Sequence, residues 1–463
     1  MSETEKNLTD PRVAAIRLPA ADYPLQTGEE DPVSLALRSV AQMLGWADPE
    51  RGPFGSVIQP GARVLIKPNF VLHENQGGWG MKPLITHASV VRAATAAALK
   101  AGAGQVIVGD APVQGCDYER LLGESGLSEW AETLSARNPR FAGIRDFRRT
   151  TCEFVNGVRH ERENRLPADQ FLLFDLKRDS LLEAVTDQDE SFRVTCYDPR
   201  LLARTHAPGR HQYLIAREVI EADVVINLPK LKTHKKAGLT CALKNLVGIN
   251  GNKEYLPHHR LGGSHNGGDC YPGGSVVKRT LEFVYDRQNT TASLRARTLW
   301  QQAAVQLNRV LHLTGDNVGI EGSWSGNDTI WRTTLDLNRV LMYGRTDGTL
   351  ARTVQRRVIH LVDAIVAGQG DGPLASQPLA LGLLLGGNNP AAVDYIGAQL
   401  LGYSPQRLPL VREAFADFRW PLTTFTPDEV LLSGLSRQSL QTAGAVIHPA
   451  GWRDAAAQRP AQV

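Results

Sequence analysis

From Ser34 onward the apolar residues Leu35, Leu37, Val40, Met43 and Leu44 recur at helical spacing and stop at Gly45, which predicts an amphipathic helix closed by a glycine. The period then shortens. Arg63-Val-Leu-Ile-Lys-Pro-Asn-Phe reads as a strand whose alternation puts Leu65, Lys67 and Asn69 on one face. After a glycine-rich loop, Thr86-His-Ala-Ser opens an alanine-rich helix that runs to Lys100 and is capped by Gly102. Val106-Ile-Val-Gly-Asp is the next strand and ends on Asp110. Strand, helix and strand in this order predict a right-handed βαβ unit and a parallel sheet.

Further along, Val224, Val225 and Ile226 form a β-branched run suited to a strand buried on both faces, and the run stops at Asn227 and Pro229. Ala237 to Val247 reads as a helix entered through Gly238. Two more strands are expected in His360-Leu-Val-Asp-Ala-Ile-Val and Leu381-Gly-Leu-Leu-Leu-Gly-Gly, and Pro390 starts a helix that runs to Leu401. The fold class is therefore α/β: a parallel doubly wound sheet with a second lobe or large α/β insertion. Residues 1–33 are expected to be a loose N-terminal segment and 34–129 the first part of the core. A charged excursion of weak period follows over 130–222, then a core strand and Lys/His loop over 223–249. An insertion with a glycine- and histidine-rich loop and helices spans 250–358, the core closes over 359–435, and 436–463 is a tail whose last dozen residues are loose.

Composition narrows the class. At 463 residues, with 42% hydrophobic and 21% charged residues, the chain resembles a soluble globular protein of more than one lobe. Lys and Arg number 51 against 48 Asp and Glu, and a net charge of +3 is too small for a nucleic-acid footprint. The charged opening residues and the absence of a long apolar run argue against a secretory leader and a membrane partner, so a cytoplasmic location is expected. The five cysteines at 116, 152, 196, 241 and 270 form no Cys-x-x-Cys pair, so no iron–sulfur cluster is expected. The oligomeric state is not encoded in any of these features.

The candidate chemistry gathers just past predicted strand ends, where open α/β sheets bind ligands. Lys230, Lys232, His234, Lys244 and Asn245 follow one strand, Lys67 and Asn69 end another, and Asp110 ends a third. Such cations near helix amino termini predict a site for a small anionic or polyhydroxylated metabolite. Thr86 and His87 at a helix start join the binding set. Two of Lys232, Lys235 and Lys236 are expected to face solvent, whereas Lys67 and Lys244 are flanked by apolar residues that favour a lowered pKa and reactivity as base or nucleophile. Asp371 in Gly-Asp-Gly-Pro is the carboxylate expected to hold a metal or orient a lysine, while Asp363 and Asp394 read as structural partners of buried cations. His234, His258 and His259 are the residues a divalent metal would use. The catalytic set expected is thus Lys67, His234, Lys244 and Asp371, with lyase or isomerase chemistry beside a carboxylate. A non-catalytic ligand or metal-cofactor carrier serving a partner enzyme is the alternative.

Ile66-Lys-Pro-Asn, Thr86-His, Asn227-Leu-Pro-Lys-Leu-Lys-Thr-His, Leu243-Lys-Asn-Leu-Val-Gly, Gly370-Asp-Gly-Pro and Asn389-Pro-Ala-Ala-Val-Asp together resemble the domain-of-unknown-function 362 (DUF362) family across roughly 64–411. The resemblance implies no particular reaction. A weaker likeness is to the nickel-pincer lactate racemase family, in which a histidine precedes a lysine by ten positions, as His234 precedes Lys244. That likeness implies a metal-ligating or acid/base role for His234 and an anchoring role for Lys244. The corresponding strand here ends Gly109-Asp-Ala-Pro, without the racemase family's catalytic histidine, so hydride-transfer racemisation is not expected.

Overall fold

Ten strands join in one mixed sheet. In chain order they are β1 (Arg12–Arg17), β2 (Arg63–Pro68), β3 (Gln105–Asp110), β4 (Phe141–Asp146) and β5 (Val224–Leu228), then β6 (Lys230–His234), β7 (Gly238–Thr240), β8 (Arg357–Asp371), β9 (Ala375–Gly387) and β10 (Leu431–Ser433). The main helices are α1 (Pro32–Leu44), α2 (Ala88–Lys100), α3 (Ala242–Asn245), α4 (Val276–Thr290), α5 (Leu294–Leu313), α6 (Ile330–Tyr343) and α7 (Pro390–Leu400). The computed structural model describes residues 4–24, 28–155, 158–163, 166–187, 191–436 and 446–456.

The sheet order is β10-β1-β9-β8-β5-β2-β3-β4, with β6 pairing both β8 and β7. Neighbours from β8 through β5, β2 and β3 to β4 are parallel, and α2 crosses between β2 and β3 as expected. The other half departs from the all-parallel expectation. Only Gly372, Pro373 and Leu374 separate β8 from β9, too short a link for a crossover, so the two long strands form an antiparallel hairpin. Strand β1 then pairs antiparallel with β9 and parallel with β10. The stretch expected to be loose therefore supplies a strand paired on both sides, one in from the sheet edge, and Asn7 just before it is buried, donating to the Arg356 carbonyl at 3.0 Å.

Alternation on the strands feeds two apolar layers. Val64, Ile66, Ile226 and Leu228 pack with Leu37 and Val40 of α1 and Ala94 and Ala98 of α2. Leu65 and Val225 point the other way, against Leu246, Ile249 and Leu341. Each such fully buried aliphatic side chain stabilises the fold by roughly 1.5–3 kcal/mol. The helix starts are capped as their residue types require: Asp31 accepts from Val33 and Ser34, and Asn389 from Ala391 and Ala392.

The charged 130–222 stretch contains a three-stranded sheet of Phe171–Asp175, Arg210–Ala216 and His206–Ala207 around buried Phe174, Tyr213 and Ile215. Beyond it, α4 and α5 make a helical hairpin with a small core of its own, Leu281, Val284, Ala304 and Leu311. Near the chain end, Trp452 is buried and its indole N–H donates to the Lys235 carbonyl, so the middle of the expected tail, within 446–456, packs against the Lys/His segment. Residues 437–445 and 457–463 of that tail lie outside the described residues.

Candidate active site

A crevice of about 730 Å³ opens at the carboxyl ends of β2 and β3 and along β6, within the size range of small-molecule sites. Its floor is an ion pair. Lys67 ends β2 and Asp110 ends β3, and because these strands are in parallel register the two side chains meet at 2.7 Å with 0% and 3% exposure. Burial pulls the Lys67 pKa down and lifts that of Asp110, while each partner opposes the other's shift. Lys67 also donates to the Pro68 carbonyl at 2.7 Å and to Asn245 Oδ1 at 3.3 Å. Asn245 Nδ2 donates in turn to Asn227 Oδ1 at 2.7 Å, and Asn227 reaches the Ala242 carbonyl and His360. The floor is thus held by buried amides that tie β2 and β5 to α3. Gly248 lies against it: a Cβ there would come within 2.0 Å of Asp110 Oδ1 and 2.7 Å of Lys67 Nζ.

The wall carries the amines and imidazoles. Lys244 on α3 is buried, and its ammonium makes no hydrogen bond or ion pair among the described residues, so it faces the crevice unpartnered. Burial, then the charges of Lys236 and Lys67, pull its pKa to about 7. Lys232 on β6 is also fully buried and donates to the Leu84 carbonyl; burial, followed by the Lys230 charge, holds its pKa well below the ordinary lysine range. His234 Nδ1 accepts from the backbone N–H groups of Lys236 at 3.0 Å and Ala237 at 3.2 Å. Those donors leave the ring proton on Nε2. His258 has the opposite arrangement, because its Nδ1 can only donate to the Leu256 carbonyl 2.6 Å away, leaving Nε2 as an acceptor. Burial first, and neighbouring lysines next, depress both imidazole pKa values far below the usual one, so both rings are neutral near pH 7. One wall therefore offers an N–H donor, a nitrogen acceptor and an uncommitted amine.

Asp371 stands at the rim, with 59% side-chain exposure and Lys235 at 3.4 Å. Asn69 reaches the lining from the end of β2, and its Oδ1 is buried without a hydrogen-bond partner. The structure thus brings Asn69, Asp110, Lys232, His234, Lys244, Asn245, His258 and Asp371 to the lining of a single crevice, with Lys67 buried beneath it on Asp110. Four candidates lie elsewhere. Thr86 is buried and bonds the Leu228 carbonyl at 2.6 Å while accepting from the Asn69 N–H, which joins β2 to β5. His87 caps α2 and stacks on Tyr23 with ring centroids 3.7 Å apart. Lys230 is spent on Asp363 at 2.6 Å and on the Tyr23 hydroxyl. The register of β6 on β8 slips between Lys230, opposite Asp363, and Lys232, opposite Gly368, so these two lysines do not act as a repeating pair. His259 faces a separate small cavity beside Cys270 and Glu282.

The donor set also departs from a metal site at the expected histidines. With His234 Nδ1 occupied by two N–H donors, Nε2 keeps its proton and has no lone pair for a metal. Among the described residues no group of three or more His, Cys, Asp and Glu side chains is placed to hold an ion. Of Lys232, Lys235 and Lys236, expected to supply two solvent-facing lysines, only Lys235 is substantially exposed; Lys232 is buried and Lys236 donates to Thr195 Oγ1 at 2.7 Å within the crevice. Among the described residues Asp394 meets no cation; its carboxylate accepts from the Leu243 N–H, and burial raises its pKa to about 7.

Several lining residues carry no signal in the sequence. Arg148, Thr195, Cys196 and Lys253 come from segments of weak period and reach the crevice only through the fold. Arg148 staples the loop after β3, donating to the carbonyls of Val113, Gln114 and Cys116 while paired with Asp146 at 2.6 Å. Gln114 presents a second buried amide oxygen without a partner.

Comparison with known proteins matches residues 64–165 and 184–399 to the family described as Domain of unknown function (DUF362). The chain is 23% identical over 358 residues to the thylakoid-associated protein sll1697 of Synechocystis sp., covering 77% of this chain and 68% of that protein. A crystal structure of a Thermotoga maritima protein aligns with 76% of this chain and 55% of its own length, at 10% identity and a TM-score of 0.27. This chain thus spans about half of that solved chain.

Proposed function

The chain belongs to the DUF362 family, whose description assigns no reaction, and from the crevice we propose that the protein is an enzyme acting on a small, anionic, hydroxyl-bearing metabolite by proton transfer next to a carboxylate. The observation that carries this reading is Lys244: a buried amine with a pKa near 7 and no partner among the described residues, facing a cavity of metabolite size. An amine so placed is available both as a base and as a cation at neutral pH. In this reading the carboxylate sits against Lys232, and Lys244 Nζ takes the proton from the adjacent carbon. The electron pair moves onto the carboxylate oxygens, where the Nε2–H of His234 stabilises the charge. His258 Nε2 accepts from a substrate hydroxyl, and the partnerless oxygens of Asn69 and Gln114 accept from others. Lys67, paired with Asp110, is then a positioning residue beneath the site rather than a participant. The spacing of His234 and Lys244, similar to that of the lactate racemase family, puts imidazole and amine on one wall. The occupied Nδ1 directs this reading to proton transfer without a metal at His234.

The test is incubation with a mixture of sugar acids and hydroxy acids in deuterium oxide, reading loss of carbon-bound proton signals next to the carboxylate by NMR. Exchange is expected for at least one acid and should vanish in Lys244→Met. Binding without exchange would instead make the protein a carrier, and neither binding nor exchange would overturn the reading of the crevice.

A further inference from the structure

The α4/α5 hairpin turns a largely apolar surface to solvent. Over residues 276–313 the exposed large apolar side chains are Val276 at 74%, Phe283 at 51%, Leu294 at 53%, Leu299 at 66%, Val305, Val310 and Leu313 at 88%. Their placement is periodic. On α5, Arg295, Leu299, Gln306, Arg309, Val310 and Leu313 fall within one face about 100° wide at 3.6 residues per turn, opposite the buried Ala304 and Leu311. On α4, Val276, Arg279, Phe283 and Arg287 share the face opposite buried Leu281. Between the helices, Phe283 of α4 lies edge-on to Trp300, a residue on the core side of α5, with ring centroids 6.2 Å apart.

The charges on these faces have one sign. Arg279, Arg287, Arg295 and Arg309 are all exposed and none makes an ion pair among the described residues. The two acidic residues in the hairpin are withdrawn: Glu282 is buried, and Asp286 is held by Arg193 at 2.9 Å. From this we infer that the α4/α5 hairpin docks on an anionic lipid surface, its leucines and valines entering the interfacial layer while the guanidinium groups reach lipid phosphates. Charge decides between occupants. A second copy of this chain would press four unpaired arginines against four more, whereas anionic headgroups neutralise them. The contact is peripheral, since no described helix is long and apolar enough to cross a membrane. It is independent of the chemistry assigned to the crevice.

Co-sedimentation of the full chain with vesicles of about one part phosphatidylglycerol to three parts phosphatidylcholine tests the inference. The protein is expected to pellet with these vesicles, to stay in solution with pure phosphatidylcholine, and to be released by molar salt. Leu299→Ser with Leu313→Ser, and separately Arg295→Gln with Arg309→Gln, should each weaken binding about tenfold while leaving the circular dichroism spectrum unchanged. All four positions are exposed, so folding should tolerate the changes. Failure of the wild type to pellet, or binding by both double variants equal to wild type, overturns the inference. So does a dimer in sedimentation velocity that Leu313→Ser dissolves, since the face would then be a self-interface.

Discussion

Lys244 has a folded-state pKa near 7 against 10.5 for a free lysine, which fixes the sign of two pH effects. Between these values the unfolded chain holds the extra proton, so this residue makes stability rise with pH through that window and contributes a constant penalty below it. Lys244→Met should accordingly raise the unfolding free energy at neutral pH by on the order of 2 kcal/mol and flatten the rise toward alkaline pH, as read by urea titrations in the two ranges. Binding of a test anion such as malonate should weaken as pH climbs through 7, when the ammonium is lost, and Lys244→Met should abolish that dependence in calorimetry. At Gly248 the close approach of backbone to the Lys67–Asp110 pair leaves no room for a side chain. Gly248→Ala should lower stability by about 2–4 kcal/mol in urea unfolding, since either the ion pair or the backbone must move. Residue identity showed Lys67 and Lys244 as unusual because apolar neighbours flank them. It did not show that one would be paired and the other unpaired, a difference made by Asp110 and Gly248 arriving from other elements.

Among the elements, helices with a clear 3.6-residue period and a glycine or proline at one end were legible: α1, closed by Gly45, and α7, begun by Pro390, lie within a turn of where spacing placed them, although α1 starts at Pro32 on an Asp31 cap, inside the stretch read as loose. Strand β1 was not, because Arg-Val-Ala-Ala-Ile-Arg is short, alanine-rich and buried at its centre, which hides any alternation. Its pairing to both β9 and β10 makes a prediction. Deleting residues 1–17 should uncover the edge of β9 and yield aggregated protein, measured by size-exclusion chromatography. A loose terminus would instead leave the elution volume nearly unchanged. The segment after β5 also differs from the expected loop and helix: Lys230–His234 is itself a strand and Gly238–Thr240 returns antiparallel to it. Pro229 ends the pairing of β5 with its neighbours, yet the chain resumes on β8 in the same register at Lys230 and slips only before Lys232, an outcome that depends on the length of β8 rather than on local propensity.

Over the whole molecule, the crevice gathers lysines from three segments, while the carboxylates Asp371 and Glu74 at its rim are both exposed and each paired with a cation, Lys235 and Arg120 respectively. Anion binding should weaken with added salt, and Asp371→Asn should tighten malonate two- to fivefold with less than about 0.5 kcal/mol change in stability, because its ion pair with Lys235 is solvent-exposed. Loss of binding in that variant would instead mark Asp371 as a ligand-holding group. The α/β class, the strand ends on which Lys67 and Asp110 sit, and the family motifs were determined by the sequence itself, since hydrophobic period and cap chemistry are local. The antiparallel hairpin of β8 and β9, the donor and acceptor assignments of His234 and His258, the diversion of Lys230 to Asp363 and the unpartnered state of Lys244 were decided only by the tertiary structure. Each depends on which polar group another part of the chain sets within about 3 Å, a distance that no spacing along the sequence specifies.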